Sequence, residues 1–136
     1  MFQSEVQIRV RYSETDQMGY VYYGNFAAYY EVARTEAFRK LGISYKEMEQ
    51  EGIIMPVLEM RTKYLRPARY DDLLTIKVHI KNKPHGTRIT FHYDVLNEAE
   101  ELLNVGDTTL VFVSLKTGRP IALPESILSK LDSFYN

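Results

Sequence analysis

Cysteine and tryptophan are both absent from this chain of 136 residues. Without cysteine there is no disulfide framework, no zinc–thiolate site and no thiol nucleophile. An excess of one charge is missing too. With 17 Lys and Arg against 18 Asp and Glu, the formal net charge of −1 creates no field that would recruit nucleic acid or an anionic membrane. No apolar run approaches the length of a membrane span, and the chain enters an alternating pattern within a few residues, leaving no room for a signal peptide. Repeats, low-complexity tracts and linkers are also lacking. These absences point to a soluble cytoplasmic protein of one domain, residues 1–136, large enough for one core. Tyrosine, by contrast, is plentiful: 11 Tyr and 6 Phe suit an amphipathic pocket or interface.

Hydrophobic periodicity divides the chain into elements. Phe2 to Tyr12 alternates as a strand, with Val6, Ile8 and Val10 on one face. Asn25 is a favoured N-cap, and Phe26, Tyr30, Ala33, Ala37 and Leu41 then recur at helical spacing up to Gly42. Ser44 to Glu47 reads as a capping box opening a short helix that stops at Gly52. From there the period is two, in four runs: Leu58 to Tyr64, Leu74 to Ile80, Ile89 to Val95 and Leu102 to Leu115. Turn signals at Pro67–Asp72, Pro84–Gly86, Asn97–Glu101 and Thr117–Pro120 separate them, and a last short helix is expected near Pro124. Consecutive strands with tight turns imply antiparallel pairing. Each strand has one apolar face, and only the helix from Asn25 is long enough to cover it. The expected fold is α+β, an antiparallel five-stranded sheet wrapped around a long central helix.

The segment from Tyr12 to Phe26 departs from generic globular sequence. Asp16 sits in a loop ahead of the helix, too far from Asn25 to cap it, and Met18 to Tyr23 is apolar and aromatic where an ordinary loop is polar. A loop carboxylate facing a helix start lies beside backbone N–H donors and the positive end of a dipole. That layout serves attack on a carbonyl whose oxygen becomes negative. An aspartate of ordinary pKa is ionised at neutral pH. An ionised carboxylate so placed can act on an activated acyl carbonyl, as a nucleophile forming a mixed anhydride or as a general base for water.

The same stretch resembles the signature of the 4-hydroxybenzoyl-CoA thioesterase family of hotdog-fold enzymes, roughly D-x-x-G-x-V-x-[YH]-x-N-[YF]. Asp16, Gly19, Val21, Tyr23, Asn25 and Phe26 all fall in register. The resemblance extends over essentially the whole chain. It implies the hotdog fold, acyl-CoA hydrolysis with Asp16 as the chemical group, and the backbone N–H of Tyr23 as an oxyanion donor. It also implies a homodimer or homotetramer sharing its sites. Coenzyme A would be part of the substrate, with no separate cofactor. One family branch, the Tol–Pal-associated short-chain thioesterases, carries His where this chain has Tyr23. No imidazole is therefore available at that position here.

Next to the motif, or on the strand after the helices, Met18, Tyr20, Tyr22, Met55 and Leu58 are expected to border the acyl group, with Asn25 at the helix start. Lys63, Lys83 and Arg88 are candidates for the coenzyme A phosphates, among other basic residues that include Arg66, Arg69 and Lys81. Glu31 reads first as an intrahelical ion pair with Arg34 or a contact to Thr35. His79 and His92 pair across a hairpin, but Lys77 and Lys81 flank His79 on one face and would repel a cation, so no metal is assigned. Two other functions remain open. A dehydratase would need a histidine near the helix, where none lies. A non-catalytic acyl-CoA or acyl-carrier-protein binder would have no use for Asp16.

Overall fold

The computed structural model describes residues 1–135. Strand β1 (Phe2–Arg9) leads through a short 3-10 turn (Tyr12–Glu14) and a loop into helix α1 (Asn25–Lys40). Helix α2 (Tyr45–Gln50) follows, then β2 (Ile53–Ile54), β3 (Val57–Tyr64), β4 (Leu73–Ile80), β5 (Arg88–Leu96), β6 (Leu102–Val111), β7 (Val113–Ser114) and α3 (Glu125–Leu131). Five strands make one antiparallel sheet in the order β1-β4-β5-β6-β3, and β2 pairs with β7 separately.

Alternation along the central strands creates the two faces. Leu74, Ile76, Val78 and Ile80 of β4 and Ile89, Phe91, Tyr93 and Val95 of β5 are all buried and point at α1. Helix α1 answers with Phe26, Tyr29, Tyr30, Ala33, Ala37 and Phe38. Burying that many large side chains, at ~1.5–3 kcal/mol each, is the main force closing the sheet around the helix. Tyr30 stacks flat on Tyr93, with centroids 4.1 Å apart and planes 2° from parallel, and its hydroxyl meets Thr62 and Asn104. This close approach requires Gly106: a Cβ there would lie 2.7 Å from the Arg61 carbonyl and run into the Tyr30 ring.

The wrapped arrangement matches the expected one, with local differences. The first strand stops at Arg9, because Val10 turns in to pair its backbone with Asp71 and Asp72. Consecutive strands do not all pair: β3 and β4 lie on opposite sides of β5 and β6, joined by an eight-residue crossover, 65–72. The β3 run is an edge strand whose residues stay half-buried or exposed, not a core strand. Asn25 is the first helical residue and Gly24 occupies the cap position; the Asn25 side chain is used elsewhere. Ser44 does cap α2, accepting from the Glu47 amide at 3.3 Å. Arg34 is not paired with Glu31. It is buried near Tyr45 and Tyr93, its Nε has no partner among the described residues, and an ion pair on α1 joins Glu36 with Arg39. Among the described residues no helix is long and apolar enough to cross a membrane.

Candidate active site

The loop between Glu14 and α1 is a miniature hairpin. Thr15 bridges Val21, the Asp16 amide donates to the Tyr20 carbonyl at 2.8 Å, and Gly19 takes a positive φ of 79° to close the turn. Within it, Asp16 Oδ1 accepts from the amides of Met18 at 2.9 Å and Tyr20 at 3.2 Å. These bonds fix the carboxylate orientation from its own backbone. Oδ2 accepts from no group among the described residues, so one oxygen anchors the side chain and the other is bare.

Opposite lies the start of α1. A turn precedes it, in which the Asn25 amide donates to Tyr22 and the Phe26 amide to Tyr23. The amides of Tyr23 and Gly24, just ahead of the helix, have no acceptor among the described residues. Asp16 and Tyr23 line one cleft of about 310 Å³. Its apolar walls are Met18, Tyr20, Val21, Phe26, Tyr64 and Leu65, continued by Arg66, Pro67 and Ala68 of the crossover. The crossover is held to the loop by the Val21 amide, which donates to Ala68 at 2.7 Å, and by a bridge between Tyr20 and Arg69, whose guanidinium also sits 5.0 Å from the Tyr20 ring centroid. Tyr64 reaches across from β3: its hydroxyl donates to the Tyr23 carbonyl at 3.3 Å and its ring meets Phe26 edge-on.

Of the residues expected at the site, Asp16, Tyr23, Met18 and Tyr20 come together in this cleft. Tyr22 and Asn25 border a separate depression on the other side of Asp16, and the Asn25 amide group donates to the Glu14 carbonyl at 2.8 Å. Met55 and Leu58 do not line the cleft: Met55 packs at the core margin and Leu58 is exposed near the far end of β3. Lys63 points to the outer face of the sheet, into a groove shared with His79, Lys81 and His92. Lys83 and Arg88 share a depression with His85 at the β4–β5 turn, where Lys83 is paired with Asp132. Arg66, one of the basic candidates for the phosphates, borders this cleft, whereas Tyr64, Leu65, Pro67 and Ala68 were not anticipated. The only signal for them is the Pro67 turn that carries the chain out of β3.

A family model described as the Thioesterase-like superfamily matches residues 10–131. The acyl-CoA thioester hydrolase YbgC of Escherichia coli is 36% identical over 123 residues, 90% of this chain and 91% of YbgC. The crystal structure of DHNA-CoA thioesterase from Staphylococcus aureus superposes with a TM-score of 0.88 at 34% identity, covering 98% of this chain and 95% of that one. A 4-hydroxybenzoyl-CoA thioesterase variant, solved in complex with 4-hydroxybenzoyl-CoA, superposes with a TM-score of 0.86 at 22% identity over 96% of this chain and 99% of that one, a likeness of fold.

Proposed function

Because the chain belongs to the Thioesterase-like superfamily, we propose that it hydrolyses acyl-CoA thioesters in the Asp16 cleft, with the cytoplasm as its setting. One observation carries the reading: a carboxylate with one oxygen tied and one bare shares a cleft with Tyr23, whose amide has no acceptor among the described residues. The thioester carbonyl oxygen would be received by the Tyr23 amide, with the helix dipole favouring the negative charge that develops there. Asp16 Oδ2 either attacks the carbonyl carbon, expelling coenzyme A as thiolate and leaving a mixed anhydride for water to open, or takes a proton from the attacking water. Both routes need only water, the carboxylate and the backbone donors. Single-turnover hydrolysis in heavy-oxygen water is the test: label in the Asp16 carboxylate establishes the nucleophilic route with water opening the anhydride on the Asp16 side, whereas general-base attack or opening on the acyl side labels only the released acid.

The aromatic walls favour medium-length or aromatic acyl groups over acetyl, at ~1–3 kcal/mol for a side chain's worth of buried surface. A panel of CoA thioesters from acetyl through hexanoyl and palmitoyl to benzoyl tests activity and preference together. Faster turnover of acetyl-CoA than of hexanoyl- or benzoyl-CoA would defeat the preference, and no hydrolysis of any member would defeat the function. We also assign a homodimeric or larger assembly, supported by the open edge of β3 beside the cleft.

A further inference from the structure

Glu14 lies two residues before Asp16, outside the cleft, and is fastened more heavily than any other residue of the loop. Its carboxylate is largely enclosed, with 12% of the side chain exposed. Oε1 accepts from the Tyr29 hydroxyl at 2.9 Å and from the Arg11 amide at 2.9 Å, and Oε2 accepts from the Arg11 guanidinium at 2.8 and 3.1 Å. Its carbonyl accepts from the Tyr22 amide at 2.9 Å and from the Asn25 side chain at 2.8 Å. Burial pushes the Glu14 carboxyl up, but the bonds from Arg11 and Tyr29 outweigh that and hold it below its ordinary range. Burial and the bond to Glu14 push the Tyr29 phenol up, so it stays a donor.

Asn25 and Tyr29 are one helical turn apart on α1. The two ends of a single residue, carbonyl and carboxylate, are therefore pinned to successive turns of the helix that presents the Tyr23 and Gly24 amides. The ion pair with Arg11 cannot be the main purpose, because that guanidinium is 77% exposed and such pairs contribute little. Glu14 is where the hairpin carrying Asp16 is registered against the helix start.

We propose that Glu14, acting through Tyr29, is a positioning residue that sets the distance between Asp16 and the oxyanion donors. This rests on the reading of Asp16 as the reacting carboxylate. The bonds that matter are those to Oε1, which a glutamine oxygen can also accept.

The test is steady-state hydrolysis of hexanoyl-CoA and benzoyl-CoA by Glu14→Ala, Glu14→Gln, Tyr29→Phe and the Glu14→Ala/Tyr29→Phe double variant, with Asp16→Asn alongside. Glu14→Ala is expected to lower kcat by about 10²-fold, the scale of an ångström-level misplacement. KM should stay within about threefold, since ground-state contacts are untouched. Glu14→Gln should recover most of that kcat. Tyr29→Phe should lose about tenfold alone and nothing further in the double variant, because both act through one contact. A generally loosened structure would shift KM with kcat and would make the two changes multiply. A folded Glu14→Ala with wild-type kcat, a glutamine variant no better than alanine, or multiplicative losses would overturn the proposal. If Glu14→Ala does not fold, Tyr29→Phe decides alone: unchanged kcat overturns the proposal. Wild-type turnover by Asp16→Asn would instead bring down the underlying mechanism, whatever Glu14 does.

Discussion

Charge and shape at position 16 can be separated by one substitution. Asp16→Asn keeps an Oδ1 that accepts from Met18 and Tyr20, so the hairpin should stand, while the bare anionic oxygen is lost. Turnover should fall by ~10²–10⁴, the usual worth of a positioned acid–base group, with an unchanged thermal melt. Tyr23→Phe should be mild by comparison, because the amide and not the phenol is assigned to the oxyanion; equal loss in the two variants would reverse that assignment. Arg34 poses the opposite problem, a buried cation with a bare Nε and no carboxylate partner among the described residues. Replacing such a charge with an apolar chain relieves desolvation, so Arg34→Met should stabilise by about 1–2 kcal/mol in a urea titration. A loss of stability would mean that its contacts with the Tyr45 and Tyr93 hydroxyls outweigh the desolvation.

Among the elements, the sheet makes two further claims. A methyl at Gly106 would press the Tyr30 ring away from Tyr93, so Gly106→Ala should cost about 1–3 kcal/mol by overpacking, read from its denaturation midpoint. On the outer face, His79 and His92 face each other across β4 and β5 with ring centroids 5.5 Å apart. Burial lowers both pKa values; Lys81 adds to this for each ring, as do His79 and Arg61 for His92, against the pull of Asp94 on His79 and Asp107 on His92. With folded pKa values below the unfolded one, the stability they confer is present above about pH 6.5 and lost as pH falls through the folded values. Melting temperature should drop on acidification through this range, and less steeply in His79→Gln or His92→Gln.

The elements were also where sequence was easiest to read, and its limit shows in β3. Helix α1, the turns and the period of each strand were all visible, because periodicity records which face is buried. Periodicity is silent on which strands become neighbours. The alternation of Leu58, Met60, Thr62 and Tyr64 therefore reads like that of the other strands, and Leu58 like a cleft wall. The crossover decides otherwise by carrying the end of β3 past the Asp16 loop: Tyr64 enters the cleft, Leu58 is left near the far end, and the pleat turns Lys63 to the outer face. The Asp16 loop was legible for a different reason, since an apolar, aromatic loop with a carboxylate and a turn glycine is unusual composition.

At the scale of the whole molecule, β3 has a neighbour on one side only, and Val57, Leu58, Tyr64 and Leu65 are exposed along it. An apolar open edge of this length invites a second strand. Light scattering at micromolar concentration should give a dimer or larger, and Leu58→Lys should shift it toward monomer; a wild-type monomer would rule the assembly out. The crossover from β3 to β4 has a consequence in time as well as in space. Strands adjacent in the chain end up three places apart in the sheet, so β3 enters the sheet through its distant partner β6. Non-local pairing of this kind is slow, because the entropy of closing the chain is lost before any contact compensates for it. Residues 64–68 reach the Asp16 loop only once that pairing exists. On dilution from denaturant, helix and hairpin signals should return first, and hydrolytic activity should come back with the slowest phase.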